Sequence, residues 1–264
     1  VALSGRSRIR GRNAYGEQAV VGDAASDRMY VGDQGGQLWR IDAGTPDPAD
    51  WKITKLLDTG GRKFQHMPII VAAPDNGGYD AVILGTGDRE NPLDGSGQDY
   101  FIVYKDYDQA GVSTVTTAQP LSNLLLVDPE TTDFDTLSVA ESEALQQGWY
   151  MAFQTGEKIV GRALTVNEVS IFNTHQPSEG SGCDQLGIAR RYSLNPFLAK
   201  GLLPNDEMYE EIQGGGLIPD PVMAIVELPD PEGENGETVL TPIFCTGPSC
   251  GTVPNVTFGV REPI

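Results

Sequence analysis

The chain reads as an all-β protein, and three observations predict it. Its apolar residues come in short runs such as MPIIVAA, DAVILGTG, YFIVYKD and EVSIFNT, bounded by turn formers. Its 264 residues include 32 glycines and 18 prolines, a composition that favours short strands over long helices. A local pattern also recurs: an apolar strand ending in Gly, a polar turn, then an aromatic strand closing on Asp or Asn. MYVGDQGGQLWRID (29–42), AVILGTGDRENPLDGSGQDYFIVYKD (81–106) and VSIFNTHQPSEGSGCDQLGIARRYSLN (169–195) all carry it. A four-strand unit repeated at roughly 40 to 50 residues marks a β-propeller, and about six such units would fill the chain. The expectation is one propeller domain over residues 1–264, with a β-sandwich bearing long loops as the structural rival.

The first unit is best defined at DRMYVGDQGGQLWRID (27–42). Glycines permit a tight connection between two strands, and Trp39 is expected to fill space between neighbouring sheets. Helical periodicity is scarce. In DTLSVAESEALQQGWY, Leu137, Ala140 and Leu145 share a face, Asp135 or Thr136 can cap the start, and Gly148 can end it. PNDEMYEEIQ (204–213) is a second, weaker helix candidate. The remaining segments read as strand and turn.

Charge narrows the partners. Lys plus Arg total 18 against 37 Asp plus Glu, a formal net charge of −19 that repels phosphate backbones and excludes nucleic acid. No run approaches the roughly 18 apolar residues of a membrane span. No basic-then-apolar leader precedes the chain, which opens on Val, so a processed product or a fragment is expected. Arg6, Arg8, Arg10 and Arg12 alternate; on a strand they would share one face, either for an acidic partner or as a solvated edge.

Several candidate sites follow from residue type and spacing. Cys245 and Cys250 bracket a Gly-Pro turn in CTGPSC and can close a small disulfide loop, leaving Cys183 free or paired outside the chain. Asp88, Glu90, Asp94 and Asp99 fall in one Gly/Pro-rich loop, where four carboxylates either wrap a calcium ion or remain solvated. PDNGGYD (74–80) is a lesser metal candidate whose alternative is an Asn76-Gly77 hairpin turn. His66 and His175 are the only histidines, and neither has a His or Cys at zinc-ligand spacing. A G-x-S-x-G nucleophile elbow is absent, since GSGC (180–183) lacks that spacing. GGG (214–216) follows a possible helix instead of leading into one, so it is no phosphate cradle. NVT (255–257) is an N-glycosylation sequon, a three-residue pattern that often arises by chance. Trp51, Tyr79 and Tyr107 could stack on sugar rings.

These residues together resemble the PilY/PilC family, the tip-associated factors of bacterial type IV pili. DRMYVGDQGGQLWRID is similar to the family's signature strand pair, through Tyr30, Gly32, Asp33, Gly36, Trp39, Arg40 and Asp42. VILGTGDRENPLD resembles its GTG segment, here Gly85, Thr86 and Gly87, with FIVYKD as the strand that follows. GWYMAFQTGEKIVGRALTVNEVSIFNTHQP, GCDQLGIARRYSLNPFLAKG, GGGLIPDPVMAI and CTGPSCG continue the match in the family's order, from about residue 20 to 251. The resemblance implies a modified β-propeller of about six to seven irregular blades with one or two short helical insertions. It also implies the C-terminal domain of a longer secreted protein, exported through the periplasm and held at the cell surface on the pilus. The implied role is non-catalytic: pilus biogenesis, control of retraction, and adhesion. The implied partners are pilin or minor pilins at the tip and a host or abiotic surface, glycans included.

One family feature is degraded. The strand pair is commonly preceded by a calcium loop of pattern D-x-[DN]-x-D-G-x-x-D. With its last position at Asp27, the earlier ones fall on Ala19, Val21 and Asp23, and Ala24 stands where the glycine belongs. Two acidic ligands, Asp23 and Asp27, are too few for a cation that takes six to eight oxygens, so this loop is expected to be free of calcium. An enzyme remains the alternative. Gly-Asp-x-x-Gly-x-Leu-Trp-x-x-Asp also resembles the blade motif of quinoprotein dehydrogenases, which hold PQQ in an eight-bladed propeller. Their adjacent-cysteine disulfide is missing here, and the chain is short for eight blades. A carbohydrate-binding propeller is the third reading.

Overall fold

The computed structural model describes residues 2–6, 28–43, 45–73, 78–107, 118–129, 131–166, 168–178, 186–229, 238–247, 249–252 and 260–261. Their packing groups the chain into two compact units. The first is Val1–Glu90 with Asp99–Phe153; the second is Asn91–Gln98 with Gln154–Ile264.

In the first unit, β1 (Ala2–Arg6), β2 (Arg28–Gly32), β3 (Gln37–Asp42) and β4 (Lys52–Asp58) form an antiparallel meander. A second meander follows with β5 (Ile69–Ala72), β6 (Asp80–Gly85) and β7 (Tyr100–Asp106). Beyond it, β8 (Gln119–Pro120) adds to β4 in parallel. β9 (Leu125–Leu126) and β10 (Gly148–Ala152) complete the second sheet, β10 lying antiparallel to β7 and parallel to β9. Tyr30, Leu38, Leu57, Phe64, Val82, Ile102 and Leu121 belong to one buried cluster, drawn from both sheets. Each such aliphatic or aromatic side chain contributes about 1.5–3 kcal/mol by leaving water. Ala81 to Leu84 and Phe101 to Tyr104 are all buried, so both faces of the β6–β7 hairpin are covered; that is why these strands read as unbroken apolar runs.

Helix α1 (Val139–Gln147) forms where expected, but its cap is Ser138, not Asp135 or Thr136. Ser138 and Glu141 make a reciprocal capping box, which satisfies two backbone donors at once. Gly148 ends the helix as predicted: at its φ of +132° a Cβ would lie 2.1 Å from the Val103 carbonyl oxygen. No helical residue is buried, so the apolar face drawn through Ala140 and Leu145 packs into no core. Trp39 also departs from expectation. It is only partly covered, while its neighbours Leu38 and Arg40 are fully buried. A register shift between Leu38 and Trp39 and the buried partners of Arg40, described below, fix which face turns inward. The fully buried tryptophan is Trp149, whose ring lies 5.5 Å from that of Phe101.

In the second unit, β11 (Lys158–Ile159), β12 (Leu164–Val166), β13 (Val169–Gln176), β14 (Ile188–Asn195), β15 (Lys200–Gly201) and β16 (Tyr209–Ile212) form one sheet around the β13–β14 hairpin. β17 (Val222–Pro229), β18 (Thr238–Thr246), β19 (Ser249–Thr252) and β20 (Val260–Arg261) form another, in which β18 pairs with the other three. Val169, Ile171 and Phe244 are the buried centre of an apolar cluster. The helix expected over PNDEMYEEIQ is absent: residues 204–206 make one 3-10 turn, and the rest is strand β16. Cross-strand chemistry decides it. Arg190, Arg191 and Tyr192 of β14 stand opposite Glu211, Glu210 and Tyr209, which match them in charge and ring.

The protein is therefore all-β, with one nine-residue α-helix among the described residues. The three recurring segments do form hairpins, β2–β3, β6–β7 and β13–β14. The described residues make four sheets, none closed on itself, where the repeat predicts about six units. Among the described residues, the connection at 86–99 and α1 occupy chain that further strands would need. No helix among them is long and apolar enough to cross a membrane.

Candidate functional site

The signature hairpin is built around Asp33. Its backbone closes the turn with Gln37, and its carboxylate accepts from the Gln37 amide at 2.9 Å and the Trp39 indole Nε1 at 2.8 Å. Gly36 has φ +80°, and a Cβ there would lie 2.2 Å from Thr59 Oγ1; one at Gly32 would lie 2.7 Å from Phe64 Cβ. Asp33, both glycines and Trp39 thus fix the connection between β2 and β3.

The remaining signature residues point inward. Arg40 is wholly buried and donates through Nη1 to both oxygens of Asp106 at 2.9 Å, and through Nε to Asp42 at 3.0 Å. Arg28 donates to the other Asp42 oxygen at 2.9 Å and lies 3.8 Å from Asp106. Tyr30 donates its hydroxyl to Asp106 at 2.6 Å. Two guanidinium groups therefore meet Asp42 and Asp106 in one largely buried cluster, which joins β2 and β3 to β7 of the second sheet, and buried Asp80 lies directly opposite Asp106. Burial, reinforced by the negative charge of Asp106, pushes the Tyr30 hydroxyl far above its usual range. It stays protonated as a fixed donor.

The GTG segment has the same character. Thr86 is buried, donates to Asp99 at 2.7 Å and accepts from the Tyr100 amide at 2.8 Å; the Gly87 amide bonds the Lys63 carbonyl. The acids proposed for calcium are divided among other tasks. Asp88 accepts from Lys63 Nζ at 2.6 Å and from Gln65, and Glu90 lies 3.9 Å from the same lysine. Asp94 accepts from Ser96, its backbone carbonyl accepts from buried Lys158, and Asp99 is held by Thr86. Among the described residues no three His, Cys, Asp or Glu side chains gather as a metal would require. Asp23 and Asp27, Arg8, Arg10 and Arg12, Cys183, Asn76-Gly77 and the sequon all lie outside the described residues. The Cys245–Cys250 disulfide is formed, between directly opposed residues of β18 and β19 with Cα atoms 4.0 Å apart. Tyr79 and Tyr107 meet with ring centroids 5.1 Å apart and Lys105 over Tyr79, whereas the Trp51 indole donates to the Thr45 carbonyl.

Sequence reasoning missed the matching cluster of the second unit. Glu157 is fully buried; it accepts from Thr174 at 2.6 Å and Tyr192 at 3.0 Å and pairs with Arg190 at 3.1 Å. Arg190 also reaches Glu211 at 3.3 Å on the exposed side. Burial, then the charge of Glu157, raises the Tyr192 hydroxyl far above its ordinary range. The signal was present in the Arg-x-Tyr alternation of ARRYSLN, which puts Arg190 and Tyr192 on one strand face. Burial holds His175 below the usual imidazole range, the Gly216 carbonyl at 3.1 Å opposes that shift, and the charge of Lys158 adds to it. These groups fix strands and sheets; their chemistry is that of positioned, paired donors and acceptors.

Compared with known proteins, the chain matches no family model and no curated protein at a significant level.

Proposed function

We propose that the chain is a binding domain of the PilY/PilC type: a non-catalytic part of a pilus-tip factor, displayed outside the cell. In this reading its sheets are blades of a modified β-propeller, and it contacts pilin or minor pilins and an external surface. One observation supports it above the rest. Tyr30, Arg40 and Asp42, which carry the family resemblance in the first motif, share a single buried network with Asp106, the closing residue of the second motif. Motifs matched independently in sequence thus meet in space through their most distinctive side chains, as parts of one architecture would. The test is direct binding. Immobilised chain should capture the purified major or minor pilins of its source organism saturably, and binding to none of them would overturn the proposal.

A further inference from the structure

Strand β17 is the longest sheet edge among the described residues of the second unit, and it is unguarded. Its only sheet partner among those residues is β18, and the register holds without a bulge from Val222 opposite Cys245 to Pro229 opposite Thr238. In an antiparallel ladder alternate residues turn N–H and C=O away from the partner, so about half of this strand's backbone groups face outward. Natural edges are blunted by charges, bulges or shortness. β16, which pairs only with β14, follows that rule: it is four residues long and carries Glu210 and Glu211. VMAIVELP of β17 holds one charge, Glu227, and its only proline ends the strand.

The side chains of this strand are equally unusual for an edge. Met223 packs on the cluster of Val169, Ile171 and Phe244, which anchors the start of the strand. Its apolar neighbours face water: Val222 is 60% exposed, Ile225 53% and Leu228 36%. Successive side chains alternate, so Val222 and Leu228 stand on one face of the sheet and Ile225 on the other. Apolar surface thus flanks the open edge on both sides, as it does where a sheet receives a further strand.

Charge selects the occupant. In sequence, residues 220–237 carry six acids and no Lys or Arg, and the whole unit has 16 acids against six bases. Five of those bases are already engaged. Arg162, Arg190, Arg191 and Lys200 pair with Asp220, Glu157, Glu210 and Asp206, and Lys158 donates to the carbonyls of Asn91 and Asp94. A second copy would bring the same excess of negative charge and be repelled, whereas a cationic segment would be drawn in. We propose that β17 takes a further strand from a partner protein, an extended segment in which apolar residues alternate with Lys or Arg. Main-chain hydrogen bonds supply the affinity, Val222, Ile225 and Leu228 the apolar contacts, and the excess of acids the preference for cations. The edge stands on these residues alone, whether or not the chain meets a pilus.

The test titrates the whole chain with the synthetic peptide Lys-Val-Lys-Val-Lys-Val-Lys. Its controls are Glu-Val-Glu-Val-Glu-Val-Glu and a fully N-methylated form of the first, which keeps the charge but cannot donate to a strand. Calorimetry should show saturable binding of the first peptide alone, and hydrogen exchange should slow at alternate amides of 222–229. Val222→Lys and Ile225→Lys, at exposed positions on opposite faces, should each weaken it roughly tenfold or more by like-charge repulsion, without lowering Tm. Equal binding of the N-methylated peptide, or slowed exchange elsewhere in place of β17, would overturn the edge. Failure of the Lys-Val peptide to bind, or equal binding of the Glu-Val peptide, would overturn the cationic occupant. Dimers that protect β17 without peptide would overturn it in favour of a second copy. Peptide binding without pilin binding would overturn the pilus proposal and leave this one intact.

Discussion

The two units each bury an arginine, a carboxylate and a tyrosine hydroxyl in one cluster, yet they use them differently. In the first, Arg28 and Arg40 face Asp42 and Asp106, so each charge is paired inside and the cluster fastens one sheet to another. In the second, Arg190 meets Glu157 inside and Glu211 at the surface, and Tyr192 and Thr174 complete a cluster drawn from one sheet and its flank. The same three residue types can therefore secure sheet to sheet or strand to strand. Removing one member leaves an uncompensated buried charge, which costs far more than the intact pair contributes.

The comparison yields graded expectations. Asp106→Asn removes the charge that Arg40 faces and turns one of the two oxygens accepting from Arg40 and Tyr30 into a donor, and should cost about 3–5 kcal/mol in urea unfolding. Hydrogen exchange should rise through 28–42 and 100–106 first. Glu157→Gln should cost about 3 kcal/mol, at the low end of that range because Glu211 still faces Arg190, and its effect should appear in 169–195. An equal rise in both units for either variant would break the comparison.

Smaller effects sharpen it. Opening the Cys245–Cys250 loop by replacing both cysteines with serine should cost roughly 2 kcal/mol, since the closed loop is short. Arg191→Ala removes a partly exposed pair with Glu210 and should cost about 1 kcal/mol or less. The pH dependence should also separate the units. His175 has a folded pKa below the ordinary imidazole value of 6.5, so its contribution is complete above about 6.5 and is lost as pH falls through the lower folded value. Acid should therefore loosen the second unit through this group, and His175→Gln should flatten that dependence in a melting series. The raised Tyr30 and Tyr192 act oppositely. Their contribution is complete below the ordinary tyrosine value of 10.0 and declines as pH rises above it, in both units.

Local pattern carried part of this structure, and non-local pairing the rest. The three hairpins were legible because Gly-rich turns and closing Asp or Asn residues mark them in sequence. Gly148 and the disulfide were legible for similar local reasons. The cap of α1 was equally local, in the Ser138–Glu141 capping box, although Asp135 and Thr136 just before it are also residue types that cap helices. Burial of Arg40 was hidden, because its partner Asp106 lies 66 residues away. That burial also misled the placement of Trp39. The strand at 209–212 was hidden because its partners on β14 lie some twenty residues earlier, while its own sequence has helical composition. Asp88, Glu90, Asp94 and Asp99 looked like a cluster because they are close in sequence; Lys63, Ser96 and Thr86 take three of them separately.

The central claim is that the signature residues form a buried ionic lock, and a double-mutant cycle at Arg40 and Asp106 tests it most directly. Arg40→Met and Asp106→Leu should each cost about 3–5 kcal/mol in urea unfolding, because each leaves a buried charge unmatched. The double variant removes both members of the pair together, and its cost should fall well below the sum, by more than about 2 kcal/mol. Additive losses would contradict the lock and return these residues to the search for a functional site.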